Sequence, residues 1–287
     1  MQQRFPYRVD FYIDPAHSDL LEREGLDSFE GLMRQSAGVP VSFEPHGEVR
    51  RIVTRKGVYY LKRGWESMPL RWVVKKLLRG VTQHHRLVYE YRATRMLASN
   101  GFDVMKPVAW GERRILGFPA EGFLLTQEVE GTQGDLFWAS ATSALRTRLM
   151  ERAGALIGAM HRQGIFSWIR LKDFFVGENP LTLTMIDLEC VPERPAPFQS
   201  RRALRTLAKC LSHAVILRPE PTPRELLAFT HAYLAEVGEI LCRSPGELFH
   251  GIAPHIRQLS ARPGPYRGVI EHSVFLSRAI GVTIPSE

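Results

Sequence analysis

Val58-Tyr59-Tyr60-Leu61-Lys62-Arg63-Gly64 is a run of β-branched and aromatic residues that reaches a lysine and then a glycine. It predicts a strand with Lys62 at its end. Working outward, Gln83–Asn100 has helical periodicity and is closed by Gly101. Leu87, Glu90, Thr94 and Leu97 share one face of that helix, so a carboxylate sits on a stripe that otherwise looks inward and needs a cation. Much further along, Leu183-Thr184-Met185-Ile186 reads as a buried strand that delivers Asp187 and Glu189 where it stops. Singly, each residue has an ordinary explanation: a strand-end lysine is usually a solvated charge, an inward Glu a local salt bridge, an Asp after a strand a turn former.

The joint order of lysine, helix glutamate and post-strand aspartate resembles that of protein kinases. There the lysine holds the α- and β-phosphates, the glutamate orients the lysine, and the aspartate binds the magnesium that bridges the phosphates.

With 287 residues, 44% hydrophobic and 24% charged, the chain is long and apolar enough for two lobes or one large domain. Cys190, Cys210 and Cys242 are far apart and lack C-x-x-C spacing, which argues for a reducing, cytoplasmic setting and against structural zinc. No apolar run reaches membrane-spanning length, and Met1–Asp10 has no apolar core of the secretory kind. A formal charge of +8 implies attraction to polyanions. The aromatic-interleaved basic motifs of RNA-binding modules are missing, so nucleic acid is not the expected partner.

Taken in order, residues 1–40 form an N-terminal extension with a short helix over Asp27–Gln35. Val41-Ser42-Phe43, Val49–Val53 and Val58–Leu61 predict antiparallel strands, and Gly47 is the glycine available for a phosphate-covering turn between the first two. Pro69–Gly80 is a basic amphipathic helix whose Arg71, Lys75, Lys76 and Arg79 would meet an acidic acceptor or lipid headgroups, or simply face solvent. Phe102–Trp110 and Gly122–Val129 alternate as strands, and Glu128-Val129-Glu130-Gly131 links the two halves, with Glu128 and Glu130 placed where adenine would contact backbone. Ser143–Arg162, Arg201–Leu217 and Pro223–Leu241 are amphipathic helices. The expected organisation is an extension (1–40), a β-rich lobe (41–129), a mainly helical lobe (130–241) and a C-terminal extension (242–287).

From about Ser42 to Leu241 the chain resembles the lipopolysaccharide core kinases that phosphorylate heptose or Kdo sugars. The resemblance rests on Tyr60-Leu61-Lys62, the basic insert, Tyr89-Glu90-Tyr91-Arg92-Ala93, Val108-Ala109-Trp110-Gly111-Glu112, Phe123–Glu128, Met160–Ile165 and Ile186-Asp187-Leu188. It implies an α+β, two-lobed protein-kinase-like fold, ATP and Mg2+ as cofactors, a core sugar as acceptor, and work at the inner face of the cytoplasmic membrane. By the same resemblance Lys62 and Glu90 form the ion pair and Asp187 holds metal.

The family's catalytic loop carries a histidine-arginine-aspartate type motif, and here Phe166-Ser167-Trp168-Ile169-Arg170-Leu171-Lys172-Asp173 stands in its place. Aligning the following strand puts Trp168 at the aspartate's position and Asp173 at the second metal position. Counting forward from Gly164-Ile165 puts Ile169 there, and a two-residue deletion puts Arg170 there. No placement restores the carboxylate. Three readings follow: a sugar kinase in which Asp173 or Glu189 takes over, a pseudokinase that scaffolds core assembly, and a phosphotransferase for a soluble small molecule.

Overall fold

The alternating runs between Val41 and Leu61 form antiparallel strands that extend beyond the bounds their pattern marks. A computed structural model describes residues 7–34, 38–66, 84–178, 181–188, 190–214, 216–242 and 244–261. The chain divides into two compact units, Met1–Val129 with Asp187–Glu189, and Glu130–Ile186 with Cys190–Glu287.

The first unit is built on a six-stranded antiparallel sheet. Its order is β1 (Tyr7–Ile13), β5 (Pro107–Ile115), β6 (Phe118–Gln127), β4 (Gly57–Trp65), β3 (Gly47–Thr54) and β2 (Val39–Glu44). β4 runs through Arg63 and Gly64 to Trp65, so Lys62 lies inside a strand and not at its end. Gly64 was expected to break the strand, but its role is packing. A Cβ there would come 2.7 Å from His85 Cε1, and one on the paired Gly122 would come 2.4 Å from His85 Nδ1. At the outer edge, β2 pairs with β3 through a register shift between Pro40 and Ser42, and Val39, Val41 and Phe43 are exposed.

Among the described residues three helices cover this sheet: α1 (Ser18–Arg23), α2 (Phe29–Arg34) and α3 (Arg86–Ser99). Residues 7–34, set apart by the sequence as an extension, are integral to the unit. β1 pairs with β5 from Tyr7↔Ile115 to Ile13↔Ala109. Leu20, Leu21, Leu26, Phe29 and Leu32 join one core with Ile52, Tyr59, Leu61, Val108, Phe123 and Leu125. Buried Arg63 ties α2 to the sheet by donating from Nη1 to the Met33 carbonyl at 2.6 Å while pairing with Glu48. This places a cation at the helix C-terminus, where exposed carbonyls favour it.

The second unit contains a small sheet of β7 (Thr132–Gln133), β8 (Phe174–Glu178) and β9 (Leu181–Met185). Among the described residues five α-helices accompany it: α4 (Gly134–Ser140), α5 (Ser143–Arg162), α6 (Ser200–Ala214), α7 (Pro223–Val237) and α8 (Pro245–Ala261). α5 has the bounds its periodicity predicts. Its Gly154 and Gly158 let α7 approach closely, since a Cβ at either would fall within 2.2 and 2.8 Å of the Phe229 and Tyr233 carbonyl oxygens. α8 lies in the stretch expected as a C-terminal extension, yet Leu248, Phe249, Ile252 and Ile256 are core residues of this unit. Among the described residues no helix is long and apolar enough to cross a membrane.

Two buried histidines make the fold sensitive to acid. His85 caps α3, its Nδ1 accepting the Leu87 N–H at 3.3 Å, and burial lowers its pKa to about 4. His161 Nδ1 is 2.9 Å from the Tyr233 hydroxyl, and burial lowers its pKa to about 3. Both values lie below the unfolded value of 6.5, so the unfolded chain takes up these protons first. Stability present above pH 6.5 is therefore lost as pH falls toward 4, approaching about 1.4 kcal/mol per pH unit for each histidine. Urea denaturation at pH 7.5, 6.5 and 5.0 should show this loss. His161→Gln should reduce the slope, and an identical slope in that variant would refute the assignment.

Candidate active site

Lys62 projects from β4 toward α3. Its Nζ stands 2.6 Å from Glu90 Oε1 and 3.4 Å from Asp187 Oδ1. The three side chains grade from closed to open: Glu90 is 0% exposed, Lys62 19% and Asp187 39%. The face predicted for the helix is the buried one, with Leu87, Glu90, Thr94 and Leu97 all at or near zero exposure. Glu90 Oε2 meets no hydrogen-bond donor among the described residues. An unsatisfied buried carboxylate oxygen is costly, so Glu90 is placed for the lysine and little else.

Asp187 follows β9 and adopts φ 56°, one of two non-glycine residues with positive φ among those described. The left-handed region costs an L-residue on the order of 1 kcal/mol, least for Asn and Asp. A non-glycine residue held there is a signature of functional sites. Mg2+ takes oxygen ligands, commonly one or two carboxylates together with substrate phosphates and water. Asp187 offers a half-exposed carboxylate, and no group of three or more His, Cys, Asp or Glu that could hold a metal ion occurs among the described residues. This donor set fits a magnesium ion that arrives with phosphates and does not fit an ion caged by protein alone.

Glu112, which the sequence reading did not single out as a site residue, fixes the helix that carries Glu90. It is fully buried on β5. Oε2 accepts the His85 backbone N–H at 2.8 Å, while Oε1 lies 2.7 Å from His84 Nδ1 and accepts from Arg114 Nη1 at 3.0 Å. A carboxylate at a helix N-terminus satisfies an orphan donor and complements the helix dipole. The signal in the sequence was an acid placed directly after the apolar Val108–Gly111 run.

The remaining expected site residues have other engagements. Gly47 closes a two-residue β2–β3 turn, Pro45-His46, too short to wrap a phosphate in successive N–H groups. A Cβ there would meet Arg86 Nη2 at 2.5 Å and the Arg63 carbonyl oxygen at 2.7 Å, which accounts for the glycine by packing. The Glu128 carboxylate accepts from Arg51 at 3.2 Å and the Tyr60 hydroxyl at 3.3 Å, and its N–H donates to the Val58 carbonyl at 2.9 Å. Glu130 is exposed and begins the second unit. Asp173 is 4% exposed and is gripped by Arg170 through Nε at 2.9 Å, Nη2 at 2.8 Å and the backbone N–H at 2.8 Å. Arg71, Lys75, Lys76, Arg79 and Glu189 lie outside the described residues.

None of the three placements considered for the catalytic aspartate offers a base. Trp168 stacks on His213 with ring centres 5.4 Å apart, Lys209 Nζ 5.4 Å from its ring and Arg170 Cζ 5.1 Å from it. Ile169 is buried against a cavity of about 350 Å³ lined by Met150, Ala153, Leu211 and Phe229. Arg170 holds Asp173.

Glu112→Ala leaves the His85 N–H without its acceptor in a buried site and should destabilise the protein by about 2 kcal/mol. Hydrogen exchange over residues 85–90 should accelerate more than over Ser143–Arg162. Equal exchange in both segments would show that Glu112 does not fix this helix.

The description of the lipopolysaccharide kinase (Kdo/WaaP) family matches residues 44–233. No curated protein sequence matches the chain. Among solved structures, WaaP in complex with acyl carrier protein is similar at 22% identity and TM-score 0.61, covering 87% of this chain and 97% of that one. Rad53 in complex with AMP-PNP aligns at 14% identity and TM-score 0.43, covering 84% of this chain and 64% of that one. The PknI kinase domain of Mycobacterium tuberculosis aligns at 13% and 0.40, covering 85% and 93%. The fold is a protein-kinase-like one, with a sheet-rich N-terminal region and a helical C-terminal region, and the chain belongs to the lipopolysaccharide kinase (Kdo/WaaP) family of phosphotransferase enzymes.

Proposed function

We propose that the protein transfers the γ-phosphoryl group of ATP to a hydroxyl of a heptose or Kdo sugar in the lipopolysaccharide core, working at the inner face of the cytoplasmic membrane. The observation that carries this reading is Lys62 held between buried Glu90 and half-exposed Asp187. Lys62 neutralises and positions the α- and β-phosphates, and Glu90 keeps its ammonium group pointed at them. Asp187 would hold Mg2+, which would supply charge neutralisation to the phosphates. Backbone groups of Glu128–Gly131 meet the adenine. Asp173 serves as a second metal ligand only if Arg170 shares its carboxylate, so its main part is to shape the loop. The basic insert with Arg71, Lys75, Lys76 and Arg79 meets acidic acceptor or lipid headgroups.

Phosphoryl transfer depends mostly on positioning and charge stabilisation, so the absence of a loop aspartate lowers the rate without removing these two contributions. The same absence favours a second reading, a nucleotide-binding scaffold for core assembly, because none of Trp168, Ile169 and Arg170 can accept a proton from a hydroxyl.

Labelled ATP, Mg2+ and dephosphorylated lipopolysaccharide core separate the two readings, with acyl carrier protein, the companion of WaaP in the similar structure, present or absent. The wild-type protein should transfer label, and Lys62→Ala and Asp187→Ala should each lose about 100-fold or more. No transfer, with a magnesium-dependent thermal shift by ATP retained, would establish the scaffold reading. Transfer unaffected by both substitutions would rule out this site.

A further inference from the structure

Helix α6 opens against two electrostatic preferences at once. An α-helix favours acidic residues in its first turn and disfavours like charges four residues apart. α6 has no acid in its first turn, carries Arg201 and Arg202 there, and repeats the charge at Arg205. Among the described residues no carboxylate pairs with any of the three. They line a cavity of about 410 Å³ with Gln199, the residue directly before α6, and His255 and Gln258 of α8. That is within the roughly 300–1,000 Å³ of small-molecule sites. The imidazole of His255 is held below its usual range by partial burial and by the facing Arg201 and Arg205. Positive groups that face one another with no acid between them violate the consistency expected of a purely structural surface.

Every side chain lining it ends in a polar group, which disfavours an acyl chain. Guanidinium forks match phosphate and carboxylate oxygens in bidentate geometry. The two glutamine amides each offer donors and an acceptor suited to hydroxyls. Arg202 is steadied over the Phe166 ring at 5.4 Å, and Phe166 belongs to the segment that replaces the catalytic loop motif.

We propose that this cavity, between the start of α6 and the middle of α8, is a binding site for an anionic saccharide, a sugar bearing a phosphate or a carboxylate. The idea rests on the lipopolysaccharide kinase reading for its biological setting, in which the acceptor carries such groups. The arginines bind the anion, Gln199 and Gln258 bind hydroxyls, and the subsite holds the acceptor beside the loop of the same unit.

Calorimetric titration of the full chain without nucleotide tests this directly. The probes are glucose 1-phosphate, Kdo, glucose, inorganic phosphate and phosphatidylglycerol vesicles. Glucose 1-phosphate or Kdo should bind, glucose should not, and the double substitution Arg201→Ala/Arg205→Ala should weaken binding at least 10-fold. The same variant should leave Mg-ATP affinity within two-fold and should not lower the melting temperature, because it removes like-charge repulsion. Gln199→Ala/Gln258→Ala should weaken sugar binding and spare inorganic phosphate. Undiminished saccharide binding in the arginine variant, inorganic phosphate binding as tightly as the sugar phosphate, or arginine-dependent binding of vesicles alone would each overturn the proposal. The titration needs no turnover, so an inactive protein that binds the sugar refutes only the kinase reading. An active protein indifferent to the arginines refutes only this site.

Discussion

A carboxylate with no exposed surface, set mid-helix among Leu87, Thr94 and Leu97, persists only beside a cation. Lys62 is that cation, and much of the first unit can be understood as the apparatus that brings the two together. β4 sets the lysine's height, and α3 sets the carboxylate's rotation. The register of α3 is in turn fixed at its first residues by His85 seated over Gly64 and Gly122, and by Glu112 accepting the His85 N–H. The imidazole must be neutral for Nδ1 to accept the Leu87 N–H, and burial keeps it so. The pair thus depends on two glycines and a glutamate that never touch it.

How much of this was legible follows from the range of each interaction. The inward face of α3 and the bounds of α5 could be read because periodicity is local. The continuation of β4 past Lys62 could not, since the glycine that looked like a stop answers to His85, more than twenty positions away. β1 was missed because Tyr7, Phe11 and Tyr12 remain exposed, leaving no clean two-residue alternation. Helix α1, six residues long, is too short to show a stripe, whereas the short helix expected over Asp27–Gln35 is α2. In α8, Pro254 interrupts the pattern although the helix continues through it. Of the site, the identity and order of Lys62, Glu90 and Asp187 could be read. The left-handed backbone of Asp187 and the convergence of three donors on Glu112 could not, because neither leaves a mark on spacing.

The loop replacing the usual catalytic motif has an internal logic of its own. Its one carboxylate, Asp173, is bound to Arg170 in a local capping arrangement, and Arg170 also lies against Trp168, which stacks on His213. His213 is pushed down to about pH 4 by burial and by Arg170, Lys172 and Lys209, so it stays neutral among cations. Around Trp168 this segment is an aromatic plate ringed with positive charge. Such a surface attracts negative oxygens and cannot take up a proton from a hydroxyl. The chemistry left to it is electrostatic.

The six-stranded sheet has two margins, and they are treated differently. β1 forms one, held to β5 along seven residues. The other is β2, whose exposed Val39, Val41 and Phe43 would invite a foreign strand. Pro40 has no N–H to offer a newcomer, and the slip between Pro40 and Ser42 throws the remaining donors and acceptors out of even spacing. Misassembly through that margin would need a partner with a matching irregularity, so the flaw in the ladder guards the protein against stacking with itself.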